Sequence, residues 1–168
     1  MHTGISGFIH QLAAPLMGFV FQYGLVGLFF SAFIGSTIFV PFSVEAAEIF
    51  LIEAKQNPYL VVVVAAVGAL MGTWVNYGIG FFGSEIVEKR IGINNINKAK
   101  AFMNKYGWSG LFLVIFIPTP IPVDPITIIP GITRMGFLEF SIVIFVAKLL
   151  RYALVAAILA GFVGFMHL

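Results

Sequence analysis

A duplication constrains this chain more than any other feature. The stretch Tyr23 to Pro41, YGLVGLFFSAFIGSTIFVP, returns 83 positions later as Tyr106 to Asp124, YGWSGLFLVIFIPTPIPVD. At that offset Tyr23, Gly24, Gly27, Leu28, Phe29, Phe33, Ile34, Ile38 and Val40 fall on Tyr106, Gly107, Gly110, Leu111, Phe112, Phe116, Ile117, Ile121 and Val123. Self-similarity at a fixed period marks a repeated structural unit. Hydrophobicity alone makes two apolar segments match, but it does not require a shared tyrosine and two shared glycines. Each copy ends in helix breakers or polar residues with a carboxylate close by, Glu45 in the first and Asp124 in the second.

The solvent for these copies is lipid. Of the 168 residues 60% are hydrophobic and 10% charged, and the mean hydropathy is +1.05, whereas a soluble domain carries about 25% charged residues. A net charge of +2, with the cations gathered in one loop, argues against a nucleic-acid partner. Without cysteine there are no disulfides, thiol chemistry or thiolate metal sites. The opening MHTGISGFIHQLAAP lacks the basic region of a secretory signal, so the N-terminus is expected to be retained. No Ser/His/Asp or metal-ligand constellation stands out, and His2, His10 and His167 read as wetted interfacial side chains. The chain is therefore not expected to be an enzyme, nor to hold a cofactor or metal.

In chain order, residues 4–22 are interrupted by Gly4, Gly7 and Pro15, and either lie at the interface or lead into the first span. After an apolar run from Tyr23 to Val40, Pro41, Phe42 and Ser43 break the helix before a stretch from Val44 to Ala54. Non-helical backbone at membrane depth persists only where protein or a water-filled cavity satisfies it. A re-entrant hairpin with its tip near Pro41 fits this better than one kinked span. Glu45 and Glu48 are three apart and share a face.

Tyr59 to Phe82 reads as the clearest transmembrane helix, and Gly68, Gly72 and Gly80 in its second half invite close helix approach. Asn76 and Tyr77 either hydrogen-bond across an interface or line a site. The segment Ser84 to Tyr106 holds Lys89, Arg90, Lys98, Lys100 and Lys105, five of the nine basic residues, which places it in the cytoplasm by the positive-inside rule. Ile96, Ala99, Phe102, Met103 and Tyr106 recur at helical spacing, as in an amphipathic helix on the inner leaflet.

The second copy breaks harder, at Pro118, Pro120, Pro122 and Pro125 around Asp124, then at Pro130 and Gly131. A final helix from about Phe140 to His167 is apolar except for Lys148 and Arg151, three apart on one face. Ionisable residues that deep point to a functional site. The bland alternative is that they pair with Glu45, Glu48 or Asp124 purely for packing.

The predicted fold is an all-α membrane protein, one domain over 1–168. Repeat one covers about 23–82, a cytoplasmic amphipathic linker 83–105, and repeat two about 106–165. Each repeat is a re-entrant hairpin followed by a span, and because a hairpin returns to its own side, the two copies are inverted. Such repeats with broken helices are the architecture of secondary transporters. Lys148 and Arg151 are then candidates to bind a phosphate, Glu45, Asp124 and Glu48 to exchange protons, and Asn76 with Tyr77 to line the route.

Gly68-Ala69-Leu70-Met71-Gly72 followed by Tyr77, Ile79 and Gly80 resembles the G-A-x-x-G-D-x-x-x-Y-x-I-G-R signature of DedA-type proteins, also called the SNARE-associated or VTT domain family. Glu45, the Lys-Tyr-Gly at 105–107 with Gly110-Leu111-Phe112, and the Pro-Gly-x-x-Arg-Met run at 130–135 are similar too. The likeness runs from about Tyr23 to Phe165. It implies two opposed re-entrant hairpins and lipid transport, through recycling of undecaprenyl phosphate in bacterial members and phospholipid scrambling in distant eukaryotic ones. This chain departs from the pattern where Thr73 replaces the family aspartate and Phe81 the arginine, and where Ile115 and Ile121 stand for two arginines and Thr119 for a glycine of the second hairpin.

The expected function is proton-coupled transport of a lipid-linked anion, a polyprenyl phosphate first, in the cell membrane with the loop 83–107 cytoplasmic. Its partners would be the lipid substrate and protons, and a homo-oligomer is compatible with the sequence. The rivals are an energy-independent phospholipid scramblase and a non-transporting scaffold.

Overall fold

The structure is a computed structural model that describes residues 3–37, 42–83, 93–118 and 123–166. The first expected hairpin tip, at Pro41, lies outside the described residues, as do Pro120 and Pro122 of the second, expected near Pro120 to Pro125, and Lys89, Arg90, His2 and His167.

Among the described residues every regular element is helical: α1 (Thr3–Gly35), α2 (Val44–Glu53), α3 (Pro58–Phe82), α4 (Ile93–Phe116), a 3-10 turn (Asp124–Thr127), α5 (Ile128–Ile132) and α6 (Phe137–Met166). Three stretches are long and apolar enough to cross a bilayer by length and composition: Ala14–Gly35, Pro58–Phe82 and Phe137–Leu159. The protein is thus membrane-embedded, and the coarse expectation of an all-α chain holds. Helix continues through Pro15, so residues 4–22 lead into the rest of α1, one of the two courses expected for them.

α1 is not straight. Gly24 has φ 57° and ψ −124°, the first central position of a primed turn, which L-residues adopt only at a cost. The helix folds back there, so the Ser31 hydroxyl donates to the Leu16 carbonyl at 3.0 Å. Fifteen positions on a straight helix would separate these groups by about 22 Å. The apolar length of Ala14–Gly35 is therefore divided between two arms. α2 packs on α1 and sets the Phe50 ring centre 4.2 Å from that of Phe21 on the first arm.

α4 repeats the device. Gly107, 83 positions after Gly24, has φ 53° and ψ −141°, and after α4 breaks at Pro118 the chain resumes as the short α5. Leu28 and Leu111, one repeat apart, are both fully buried, and Ala32 and Ile115 are also buried at matching positions. The order of elements in the first half recurs in the second: a helix reversed at glycine, a break, a short helix and a long apolar helix.

α3 organises the packing, with α1, α5 and α6 against it, while α4 packs on α6. A side chain at Gly68 or Gly72 would strike the Phe29 or Phe33 carbonyl of α1. Gly80 and Gly131 are locked together, since a Cβ on either would strike the other helix's backbone. These contacts carry out the packing role expected of the glycines. α3 is capped by Asn57, whose side chain accepts from the Tyr59 amide at 3.0 Å, with Pro58 opening the helix. Along α6 the exposed residues Leu138, Ile142, Val146, Leu150, Leu154 and Ile158 recur every fourth position. Lipid is the natural solvent for such a stripe, and the opposite face is left for the interior.

Neither reversing glycine has another atom in the way of a Cβ, so their substitution isolates the backbone effect. Gly24→Ala and Gly107→Ala are each expected to destabilise the protein by about 1–3 kcal/mol, read from thermal unfolding in detergent micelles. Gly78→Ala, helical and with open space, should be neutral or slightly stabilising.

Candidate functional site

Lys148 lies eleven residues into α6, the apolar helix Phe137–Met166, and Arg151 follows one turn later. Both are buried, at 3% and 7% exposure. A cation that far along an apolar helix is costly to leave facing lipid, so partners within the protein are favoured.

The partners come from both halves of the chain. Lys148 Nζ pairs with Asp124 Oδ1 at 2.5 Å and donates to Ser36 Oγ at 3.1 Å. Arg151 sends Nε and Nη2 to Glu45 Oε1 at 2.7 and 2.6 Å. Its Nη1 reaches the carbonyls of Ile115 and Ile117 at 3.2 and 3.4 Å. Those carbonyls belong to the last turn of α4, where Pro118 follows and helical partners end. A cation at the negative end of a helix is favourable. Glu45 and Asp124 gain in the opposite sense, each lying in the first turn of a short returning helix.

Asn76 ties the two breaks together. Fully buried on α3, its Nδ2 lies 3.0 Å from the Ser36 carbonyl at the end of α1, 3.2 Å from the Asp124 carbonyl and 2.9 Å from Thr127 Oγ1. Thr127 in turn donates to the Asp124 carbonyl at 2.6 Å. One amide thus holds the C-terminal end of the first broken segment against the turn that presents Asp124. Its neighbour Tyr77 points elsewhere, its hydroxyl donating to the Met135 carbonyl at 2.5 Å while its ring packs on Phe81, Phe137 and Phe140.

Glu48 is the exception. It is fully buried on α2, and neither carboxyl oxygen has a hydrogen-bond partner among the described residues. An ionised carboxylate in such a place costs several kcal/mol, roughly, and takes up a proton instead. Glu45, one turn earlier, has its charge answered by Arg151 and its Oε2 within 3.3 Å of the Ser43 hydroxyl. The shared face of Glu45 and Glu48 therefore holds two carboxyls in opposite circumstances.

Of the seven residues singled out in the sequence, Asn76, Asp124 and Lys148 are joined through Ser36, and Glu45 pairs with Arg151 one turn further along α6; Glu48 has no hydrogen bond among the described residues, and Tyr77 faces an aromatic group. Ser36, Thr127 and the carbonyls of Ile115 and Ile117 were not singled out. Ser36 was legible as a hydroxyl beside Gly35 at the end of an apolar run, and Thr127 as one three residues after Asp124.

A helical, membrane-embedded protein with a charged centre held between two broken segments defines the class. The chain belongs to the VTT domain family, the DedA family, whose pattern matches over residues 39–161. It is similar to an uncharacterized protein of Methanocaldococcus jannaschii, 28% identical over 141 residues that cover 83% of this chain and 86% of that one. An uncharacterized protein of Haemophilus influenzae is 31% identical over 101 residues, 56% of this chain and half of the relative. No solved structure matches.

Removing one partner of a buried pair leaves the other charge unanswered, whereas removing both need not. Lys148→Met alone is expected to destabilise the protein by about 3–5 kcal/mol. Lys148→Met combined with Asp124→Asn should recover most of that loss, and a thermal-unfolding double-mutant cycle in micelles measures the coupling.

Proposed function

We propose that the protein is a carrier, not an enzyme, that moves a lipid-linked anion across the cell membrane with protons, a polyprenyl phosphate of the undecaprenyl type first among its substrates. In this reading its single domain consists of two inverted repeats, about 23–82 and 106–165. Each is a re-entrant hairpin followed by a spanning helix, and the joining linker 83–105 lies in the cytoplasm. The recurrence of the glycine reversal at Gly24 and Gly107 supports the duplication, and one span between the copies inverts them.

The observation that carries the proposal is the placement of Lys148 and Arg151 at the centre of the last apolar helix, each answered by a carboxylate from a different half. Broken helices that meet at mid-membrane are where secondary transporters build their sites. Carboxylate and phosphate present similar oxygens to a guanidinium, so a phosphate can exchange with Glu45 and Asp124. Once displaced, those carboxylates stand unpaired in apolar surroundings and require protons. Glu48, with no hydrogen-bond partner among the described residues, is a further candidate to hold one. For the headgroup to pass, the Asn76 bonds that join the two breaks must part. The lipid tail stays in the bilayer throughout.

The closed pairs equally favour a second reading, a scaffold whose charges only hold the hairpins together. Charge exchange separates the two. In a scaffold, Glu45→Lys with Arg151→Glu should restore function, whereas a phosphate site should not survive the swap.

The test is headgroup translocation in proteoliposomes with labelled polyprenyl phosphate in one leaflet and a collapsible pH gradient. Translocation is expected to need protein, to respond to the gradient and to fall at least about tenfold in Arg151→Ala. Movement of many phospholipids without regard to the gradient would replace the carrier with a scramblase. No movement of any lipid would leave the scaffold.

A further inference from the structure

Away from the charged centre, the C-terminal end of α3 and the start of α6 enclose an open groove of about 550 Å³ lined by Trp74, Tyr77, Phe81, Phe82, Arg134 and Phe137. That is within the roughly 300–1,000 Å³ of small-molecule sites. Its walls are apolar and aromatic. They are also tied: Trp74 Nε1 donates to Ser141 Oγ at 3.0 Å, Ser141 Oγ to the Phe137 carbonyl at 2.8 Å, and Tyr77 to the Met135 carbonyl.

One cation stands in the groove. Arg134 is exposed, has no ion-pair partner among the described residues, and lies with its guanidinium 5.2 Å from the centre of the Phe81 ring. Stacking on the ring holds a guanidinium by its face and leaves its edge donors available to an anion. Arg134 lies between α5 and α6 beside the last turns of α3, and an arginine at the end of a membrane helix is characteristic of the headgroup level. An apolar wall suits hydrocarbon, and the unanswered cation at the same level suits a phosphate.

The geometry points to this groove as a resting site for an anionic lipid, with its phosphate on the edge of Arg134 and the start of its chain along Trp74 and Phe82. Neither a neutral lipid nor a free phosphate ion matches both features. The site is distinct from the Lys148 and Arg151 pairs and requires no transport, so it stands or falls separately from the carrier reading.

Two of the chain's residues are tryptophan, and Trp108→Phe leaves Trp74 as the sole reporter in the full-length protein. Quenching of Trp74 by chain-brominated phosphatidate in neutral-detergent micelles is compared with quenching by brominated diacylglycerol of the same chains. Phosphatidate should act at a roughly tenfold to hundredfold lower mole fraction. Arg134→Gly should abolish that preference, and because glycine suits the φ of 55° at this position, the loss would not reflect a damaged turn. Arg134→Lys should keep part of the preference. Gly78→Phe, whose Cβ meets nothing within 4 Å, should fill the groove and weaken quenching by both lipids. Equal quenching by the two lipids, or a preference that survives Arg134→Gly, would overturn the assignment. So would inorganic phosphate that competes as strongly as the lipid, since the site would then be one for a free ion.

Discussion

Lipid cannot hydrogen-bond a broken helix, and the rest of this structure depends on how that debt is met. The end of α1 leaves the Ser36 carbonyl, and the end of α4 leaves those of Ile115 and Ile117. The first accepts from Asn76, and the other two accept from Arg151. A charged side chain in mid-membrane is costly alone, and so is an unpartnered carbonyl. Here each removes the other's cost. The charges and the breaks are therefore one arrangement, and neither is stable without the other.

The same logic explains why α3 carries so little side chain where it meets its neighbours. Asn76 reaches both breaks only because α1 and α5 approach α3 closely, at Gly68 and Gly72 on one side and at Gly80 on the other. Larger residues would hold these helices off, and one amide could not bridge Ser36 to Asp124. Between lipid-exposed helices, apolar burial supplies little net attraction, so close packing and hydrogen bonds must hold the assembly.

Much of this was legible in the sequence because symmetry and solvent leave strong marks. The 83-residue offset anticipated that Gly107 would repeat the backbone of Gly24, although nothing in the letters shows that each glycine reverses its helix. That requires a φ value. The five residues of the central cluster were nameable because polar residues are rare in apolar helices. Their pairing was not, since Lys148 with Asp124 and Arg151 with Glu45 depends on the depth at which each break ends. Tyr77 shows the limit of adjacency: next to Asn76 in sequence, it faces away from the cluster, because successive helical residues diverge by about 100°. Ser36 and Thr127 were passed over as ordinary hydroxyls near breakers, and only their burial gives them a role.

The departures from the family pattern acquire a physical meaning at this centre. The resemblance places an arginine of the second hairpin at position 115, where this chain has a buried isoleucine. Its carbonyl nevertheless receives the guanidinium of Arg151. A cation thus reaches the same turn of the second broken segment from α6 instead of from the hairpin itself. At position 73 the family aspartate is a fully buried threonine whose hydroxyl bonds to the Leu70 carbonyl of its own helix, so no charge is needed there. Moving a positive charge onto a continuous helix anchors it to a rigid element and leaves the carboxylates, Glu45 and Asp124, on the short returning segments. If any part of this centre moves, it is therefore the acidic side. A cation fixed on α6 and acids carried on broken segments join the two halves of the chain through their charges, and the join depends on both partners of each pair.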